Sequence, residues 1–115
     1  MKLFCSQKDL SHALNTVNKA ISPNNTLPVL NNILLKAEGK KLFLSATNLE
    51  LAISLFIEAD VRNEGAITIP ARLITNYVSL LKNEQIELHL TEGLTLSIKS
   101  PQSETKMKGI NADEF

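Results

Sequence analysis

Apolar and polar residues alternate along much of the chain, which is the pattern of half-buried β-strands. The longest alternation runs from Leu49 to Val61, where every odd position is apolar. Turn sequences at Glu38-Gly39 and Thr91-Glu92-Gly93 predict two β-hairpins. Seven shorter runs predict further strands at Lys2–Cys5, Ile33–Ala37, Leu42–Ala46, Ala66–Ile69, Ile86–Leu90, Leu94–Ile98 and Glu104–Lys108.

Two segments, residues 7–21 and 70–83, have the spacing of amphipathic helices. Ser6 is placed to cap the first helix, Asp9 suits the positive end of its dipole, and Pro23 ends it. Pro70 stands at the first position of the second helix, where proline is tolerated. The predicted apolar faces consist of Leu10, Ala13, Leu14, Val17 and Ile21, and of Leu73, Ile74, Tyr77, Val78 and Leu81.

The same order of elements, strand, helix and three strands, occurs twice. The two glycine turns lie 54 positions apart, which supports internal repeats of about 1–62 and 65–110 within one domain, 1–115. Both helices need a sheet layer beneath their apolar faces. We therefore predict an α+β fold with a doubled βαβββ unit, two helices on one side of antiparallel strands, and a pseudo-twofold axis.

Charge is balanced overall but unevenly distributed. The twelve basic and twelve acidic residues cancel, yet the two predicted helices carry a net charge of +3 and the rest of the chain −3. The polar stripes lack carboxylates, as attraction to a phosphate backbone requires. A polar stripe is also ordinary for a solvated helix, so a non-catalytic protein-binding sheet domain without DNA contact remains the alternative. The stripes consist of Lys8, His12, Asn15 and Lys19, and of Arg72, Asn76, Ser79 and Asn83.

Other classes of function find little support in the sequence. Cys5 and His12 invite comparison with a nucleophile and base, but Cys5 lies in an apolar strand and His12 has no acidic partner in an obvious motif. The chain has no phosphate-binding loop and no paired carboxylates. A single cysteine and the lack of a signal sequence favour the cytoplasm. We therefore expect no enzyme activity, no cofactor, no metal and no membrane partner.

Three motifs, in this order, closely resemble one protein family. They are Thr26-Leu27-Pro28-Val29-Leu30-Asn31-Asn32-Ile33-Leu34-Leu35, then Ala46-Thr47-Asn48-Leu49-Glu50-Leu51, then Gly65-Ala66-Ile67-Thr68-Ile69-Pro70-Ala71-Arg72. Together they resemble the N-terminal domain of the bacterial sliding clamp, the beta subunit of DNA polymerase III, over residues 1–115. The resemblance implies a DNA-clamp fold, and a fragment of a three-domain chain that forms a dimeric ring around duplex DNA. It implies a processivity factor that tethers the replicative polymerase, with the polymerase and clamp loader bound through other domains.

The resemblance also assigns roles to residues. Arg72 matches the family's arginine after Ile-Pro-Ala, and Asn24 and Asn25 occupy the loop that touches DNA, where the family often has an arginine. The set expected to face DNA is Lys8, His12, Asn15, Lys19, Asn24, Asn25, Arg72 and Asn76. The expected dimer seam is the last strand, with Glu104, Thr105, Lys106, Met107 and Lys108.

Overall fold

The computed structural model describes residues 1–22 and 27–115. Within these ranges the chain has two α-helices, α1 (Gln7–Val17) and α2 (Ala71–Leu80). The same ranges contain nine strands. They are β1 (Lys2–Ser6), β2 (Asn32–Glu38), β3 (Lys41–Thr47), β4 (Ala52–Glu58), β5 (Asp60–Asn63), β6 (Gly65–Pro70), β7 (Gln85–Thr91), β8 (Thr95–Ser100) and β9 (Ser103–Lys108).

The described strands form two sheets, ordered β5-β1-β7-β8-β9 and β4-β3-β2-β6. Every pairing between them is antiparallel. The first strand of each half pairs with the other half, since β1 joins β7 and β6 joins β2. The doubled βαβββ order and pseudo-twofold relation are therefore as predicted. The strands form two sheets, and not the one layer expected, and the exchange of these first strands links the two halves.

Helix α1 forms as predicted at its start but ends early. The Ser6 hydroxyl accepts a hydrogen bond of 3.0 Å from the Asp9 backbone N–H, which is an N-cap. The face Leu10, Ala13, Leu14 and Val17 is buried, as predicted. A 3₁₀ turn, Asn18–Ala20, then replaces the last turn of the predicted helix.

Helix α2 begins directly after Pro70, and its buried face agrees only in part with the one predicted, through Ile74 and Val78. Its buried residues are Ala71, Ile74, Thr75 and Val78. This spacing of three, four and seven residues from Ala71 defines one helical stripe. Leu73 lies outside that stripe and is 52% exposed, so its assignment to the apolar face was wrong.

The predicted strand 49–61 is three separate pieces. The Asn48 side-chain oxygen accepts hydrogen bonds from the backbone N–H groups of Glu50 and Leu51, which makes a turn. Leu49 therefore has φ +77 and is 74% exposed. The remainder divides near Ala59 into β4, which pairs with β3, and β5, which pairs with β1 in the other sheet.

Both predicted hairpins are present, and each turn contains a glycine with positive φ. Gly39 has φ +64 and joins β2 to β3, while Gly93 has φ +72 and joins β7 to β8. Glycine adopts this conformation without the steric penalty that other residues meet. The turn positions were predictable because this backbone requirement is local.

A single cluster of buried apolar side chains joins both helices to both sheets. The helices also pack against each other, and α1 packs on β3 and β4. Neither sheet nor helix therefore has a core of its own, and removing volume from either helix destabilises the whole domain.

Replacing Leu14 with Ala is expected to lower the free energy of unfolding by about 2–5 kcal/mol, because the side chain is fully buried in this cluster. Urea denaturation measures the change. Leu80→Ala is the matched control, since Leu80 is 83% exposed and should change stability by no more than about 0.5 kcal/mol. Equal effects of the two substitutions would contradict the packing described.

Candidate nucleic-acid interface

The polar stripe of α1 is exposed to solvent. Lys8, His12 and Asn15 are all exposed, on the side of the helix away from its buried face. Asn15 donates a hydrogen bond of 2.8 Å to the Ser11 carbonyl oxygen, so part of its amide is already engaged within the helix. Lys8 and His12 have free polar ends for an external anion within the part of the chain that is described.

Lys19 is exposed but lies in the 3₁₀ turn. Because a 3₁₀ turn advances about 120° per residue against about 100° in an α-helix, Lys19 is rotated from the position predicted for it. The 3₁₀ turn also contacts α2. Lys19 therefore lies just beyond the end of α1, where the 3₁₀ turn approaches α2.

Arg72 and Asn76 are exposed on successive turns of α2. Arg72 is in the first turn, which has no side-chain cap from the described residues. Uncapped backbone N–H groups at a helix start favour a negative charge, as does the guanidinium group. Of the stripe predicted on this helix, Arg72, Asn76 and Ser79 lie within α2, whereas Asn83 lies beyond its end.

Two hydrogen bonds and one cavity fix the relative direction of the helices. At one end, the Gln7 side chain donates a hydrogen bond of 2.8 Å to the Val78 carbonyl oxygen. The Gln7 backbone N–H donates a second hydrogen bond, of 2.9 Å, to the Glu84 carbonyl oxygen. At the other end, a cavity of about 500 Å³ separates the 3₁₀ turn from the start of α2. The cavity is lined by Asn18, Ile21, Ser22, Asn31, Pro70, Ala71 and Arg72. The helices are therefore antiparallel, with Lys19 and Arg72 at the same end and Lys8 at the other.

The basic side chains of this surface are not neutralised by carboxylates. In residues 1–22 and 27–115 the ion pairs are Lys36–Glu38 at 3.2 Å and Arg62–Asp60 at 2.9 Å. Neither involves a helix. With the observed bounds, Lys8 and Arg72 against Asp9 give the two helices a net charge of +1, which is smaller than the +3 predicted because Lys19 and Lys82 lie outside them.

The two predicted contacts Asn24 and Asn25 lie outside the described residues. Their part in the surface stays a prediction.

Strand β9 lies at an open edge of the five-stranded sheet and pairs with β8. Its side chains alternate, so that Glu104, Lys106 and Lys108 are exposed and Met107 is 4% exposed. Glu104 accepts a hydrogen bond of 3.1 Å from Ser97 on β8. Met107 lies opposite Leu96 of β8 and its side chain belongs to the core, whereas Thr105 is half-buried.

Cys5 has the environment of a core residue. Burial raises the pKa of its thiol to about 12, and the negative charge of Asp9 adds to the effect. A thiol with this pKa stays protonated near neutral pH and is a poor nucleophile. Among the described residues, no three His, Cys, Asp or Glu side chains are grouped to hold a metal ion, and no helix has the length and apolar character needed to cross a membrane.

Comparison with known proteins identifies the family. Over residues 1–115 the sequence matches the family described as DNA polymerase III beta subunit, N-terminal domain. The chain belongs to this family. The resemblance carried by the three sequence motifs is thereby confirmed.

Two beta sliding clamps align along the entire chain. Identity is 39% over 128 residues with the beta sliding clamp of Synechocystis sp. and 40% over 119 residues with that of Synechococcus elongatus. The alignments cover 100% of this chain and 32% and 31% of those proteins. The solved structure of Caulobacter crescentus pol III beta superposes with a TM-score of 0.95 at 32% identity, over 100% of this chain and 32% of that one. The chain thus spans about a third of the length of the curated relatives it matches.

Sequence periodicity missed two residues that organise this beta-subunit surface. Gln7 is buried and orients the helices through its bond to Val78. The sequence signal for this role was that Gln7, a polar residue, lies on the apolar stripe three positions before Leu10. Asn18 lines the cavity beside Arg72. Nothing in the local sequence indicates that Asn18 lines a cavity, because its position depends on the change from the α-helix to a 3₁₀ turn.

The buried thiol predicts a specific dependence of stability on pH. Between about pH 9 and 12 the unfolded Cys5 thiol ionises while the folded thiol keeps its proton. The folded state then binds more protons, so stability falls as pH rises. From about pH 8 to about pH 10, urea denaturation should show the wild type losing about 1 kcal/mol more than Cys5→Ala. Equal losses in the two proteins would exclude this environment for the thiol.

Proposed function

We propose that this domain supplies part of the DNA-facing surface and one side of the dimer seam of a sliding clamp. In this role the complete subunit forms a ring with a second subunit and tethers the replicative DNA polymerase to duplex DNA as a processivity factor. The polymerase and clamp loader bind through other parts of the subunit. The protein acts in the cytoplasm and has no catalytic site of its own.

The observation that carries the proposal is the arrangement of the antiparallel helices. They present Lys8 at one end of a surface, and Lys19 with Arg72 at the other, without carboxylate partners among the described residues. Lys8 and Lys19 are separated by about 17 Å along the helix, from nine α-helical and two 3₁₀ steps. A duplex passing over this surface therefore has phosphates within reach of cations at both ends.

The chemistry of the surface suits sliding. Long cationic side chains attract phosphates at any sequence, whereas base reading requires side chains held in a groove. His12, Asn15 and Asn76 add neutral hydrogen-bonding groups. A closed ring keeps hold of DNA by its topology, so its inner surface needs only shallow attraction. A few solvated contacts meet that need without stopping movement.

The open edge of β9 supports the seam assignment. An edge strand has backbone N–H and C=O groups directed outward, which can pair with a strand of another subunit. The exposed Lys106 and Lys108 favour an acidic partner edge, and they also discourage pairing with strands of the wrong charge.

A protein-binding role without DNA contact is the second candidate, and one observation favours it. Phe43 and Phe56 are 37% and 51% exposed on the outer face of the four-stranded sheet, with ring centroids 5.8 Å apart. Exposed aromatic pairs are common in protein interfaces. This role makes no use of the basic helix surface, so removing a helix cation separates the two candidates.

In the complete ring, Arg72→Ala is expected to weaken equilibrium binding to short duplex DNA by up to about eightfold near 0.1 M salt, equally for unrelated sequences. The loss of one phosphate contact should also reduce the salt slope by about one. Fluorescence anisotropy across a salt series measures both quantities.

Arg62→Ala is the matched control, because Arg62 is on β5 and forms an ion pair with Asp60. It should leave DNA affinity and salt slope unchanged. An Arg72→Ala effect no larger than that of Arg62→Ala, or one that differs between sequences, would reject the DNA-facing role of α2.

A further inference from the structure

One hydrogen bond joins helix α2 to the edge strand β9. The Tyr77 hydroxyl and the Ser103 hydroxyl are 2.5 Å apart, in a partly buried position. Tyr77 follows Asn76 on α2, and Ser103 is the first residue of β9. The bond therefore connects the helix that carries Arg72 to the strand assigned to the seam.

The two halves of the domain differ at this place. In the first half, α1 packs closely on β4, the last strand of its βαβββ unit. The equivalent elements in the second half, α2 and β9, make few contacts with each other. Because close packing between α2 and β9 is missing here, the Tyr77–Ser103 hydrogen bond attaches the start of β9 directly to the helix, while Met107 joins β9 to the shared core.

Strand β9 depends on few other attachments at its start. Ser103 pairs with Ser100 across the turn, and the Ser100 hydroxyl makes a long hydrogen bond of 3.3 Å to the Ser103 carbonyl oxygen. In the described residues, β9 has β8 on one side and no neighbouring strand on the other. Edge strands with one neighbour open locally at low free-energy cost, so we expect local opening at the start of β9.

We propose that Tyr77 is a positioning residue that couples phosphate contact at α2 to the order of β9. This inference rests on the proposed function, since it assumes that α2 faces DNA and β9 forms the seam. When DNA restrains α2, Tyr77 holds Ser103 in place, and the closed state of β9 becomes more populated. Because binding linkage is reciprocal, a seam that orders β9 also favours DNA contact at α2.

The test uses hydrogen exchange of the β9 amides in the complete subunit, with and without a short duplex DNA. Tyr77→Phe removes only the hydroxyl and keeps the ring in place. Ser103→Ala removes the other partner, and Ser103→Thr keeps a hydroxyl. Ser79→Ala is the matched control, because the Ser79 hydroxyl bonds to the Asn76 carbonyl oxygen within α2.

In the free protein, Tyr77→Phe and Ser103→Ala should each speed β9 exchange by about two- to tenfold, the range for one neutral hydrogen bond. The double variant should show no further increase, and amides of β1 and β7 should be unchanged. Ser103→Thr and Ser79→Ala should behave as the wild type. Added DNA should slow β9 exchange in the wild type but not in Tyr77→Phe, which a purely structural role does not predict.

Unchanged β9 exchange in Tyr77→Phe would overturn the coupling, as would a uniform increase that includes β1 and β7. If duplex DNA binds but leaves wild-type β9 exchange unaltered, the coupling is wrong and the proposed function stands. If the complete ring shows no affinity for DNA at any salt concentration, the proposed function fails, and the coupling fails with it.

Discussion

Each half of the chain gives its first strand to the sheet of the other half, and the rest of the fold depends on this exchange. Since β1 lies beside β7 and β6 beside β2, neither half can complete a sheet alone. One buried cluster then serves both units. The helix that follows each exchanged strand leaves in the opposite direction, so α1 and α2 lie antiparallel and side by side. Gln7, bound to Val78 and Glu84, fixes that arrangement at one end.

The same exchange determines what the domain presents to its surroundings. The helices share one surface with cations near both ends, and the described sheets have edge strands β5 and β9, and β4 and β6. The surface proposed to face phosphates and the edge proposed for strand pairing therefore belong to different elements around one core. The Tyr77–Ser103 hydrogen bond crosses between these elements where packing is sparse. The chain belongs to the beta subunit family over its full length, which is the basis for proposing a ring.

Features set by local chemistry were predictable from the sequence. The Ser6 cap, the hairpin glycines Gly39 and Gly93 and the buried stripe of α1 follow from neighbouring residues, and the doubled element order gave the fold class. Features that depend on distant contacts were not predictable. Leu73 is exposed because Ala71 and Thr75 face the core, and Lys19 is displaced because α1 ends at Val17. The exposed cations were found through helical periodicity, whereas Gln7 and Tyr77 act through partners more than twenty residues away.

The central claim is that duplex DNA passes over the helices and not over the sheets. Amide chemical shifts of the chain, followed by NMR during titration with a short duplex DNA, test it most directly. We expect weak, salt-sensitive changes that are independent of sequence and concentrated around Lys8, Lys19 and Arg72, because one domain makes few phosphate contacts and cannot encircle DNA. Changes centred on Phe43 and Phe56 of the outer sheet, or tight binding that survives added salt, would contradict the account.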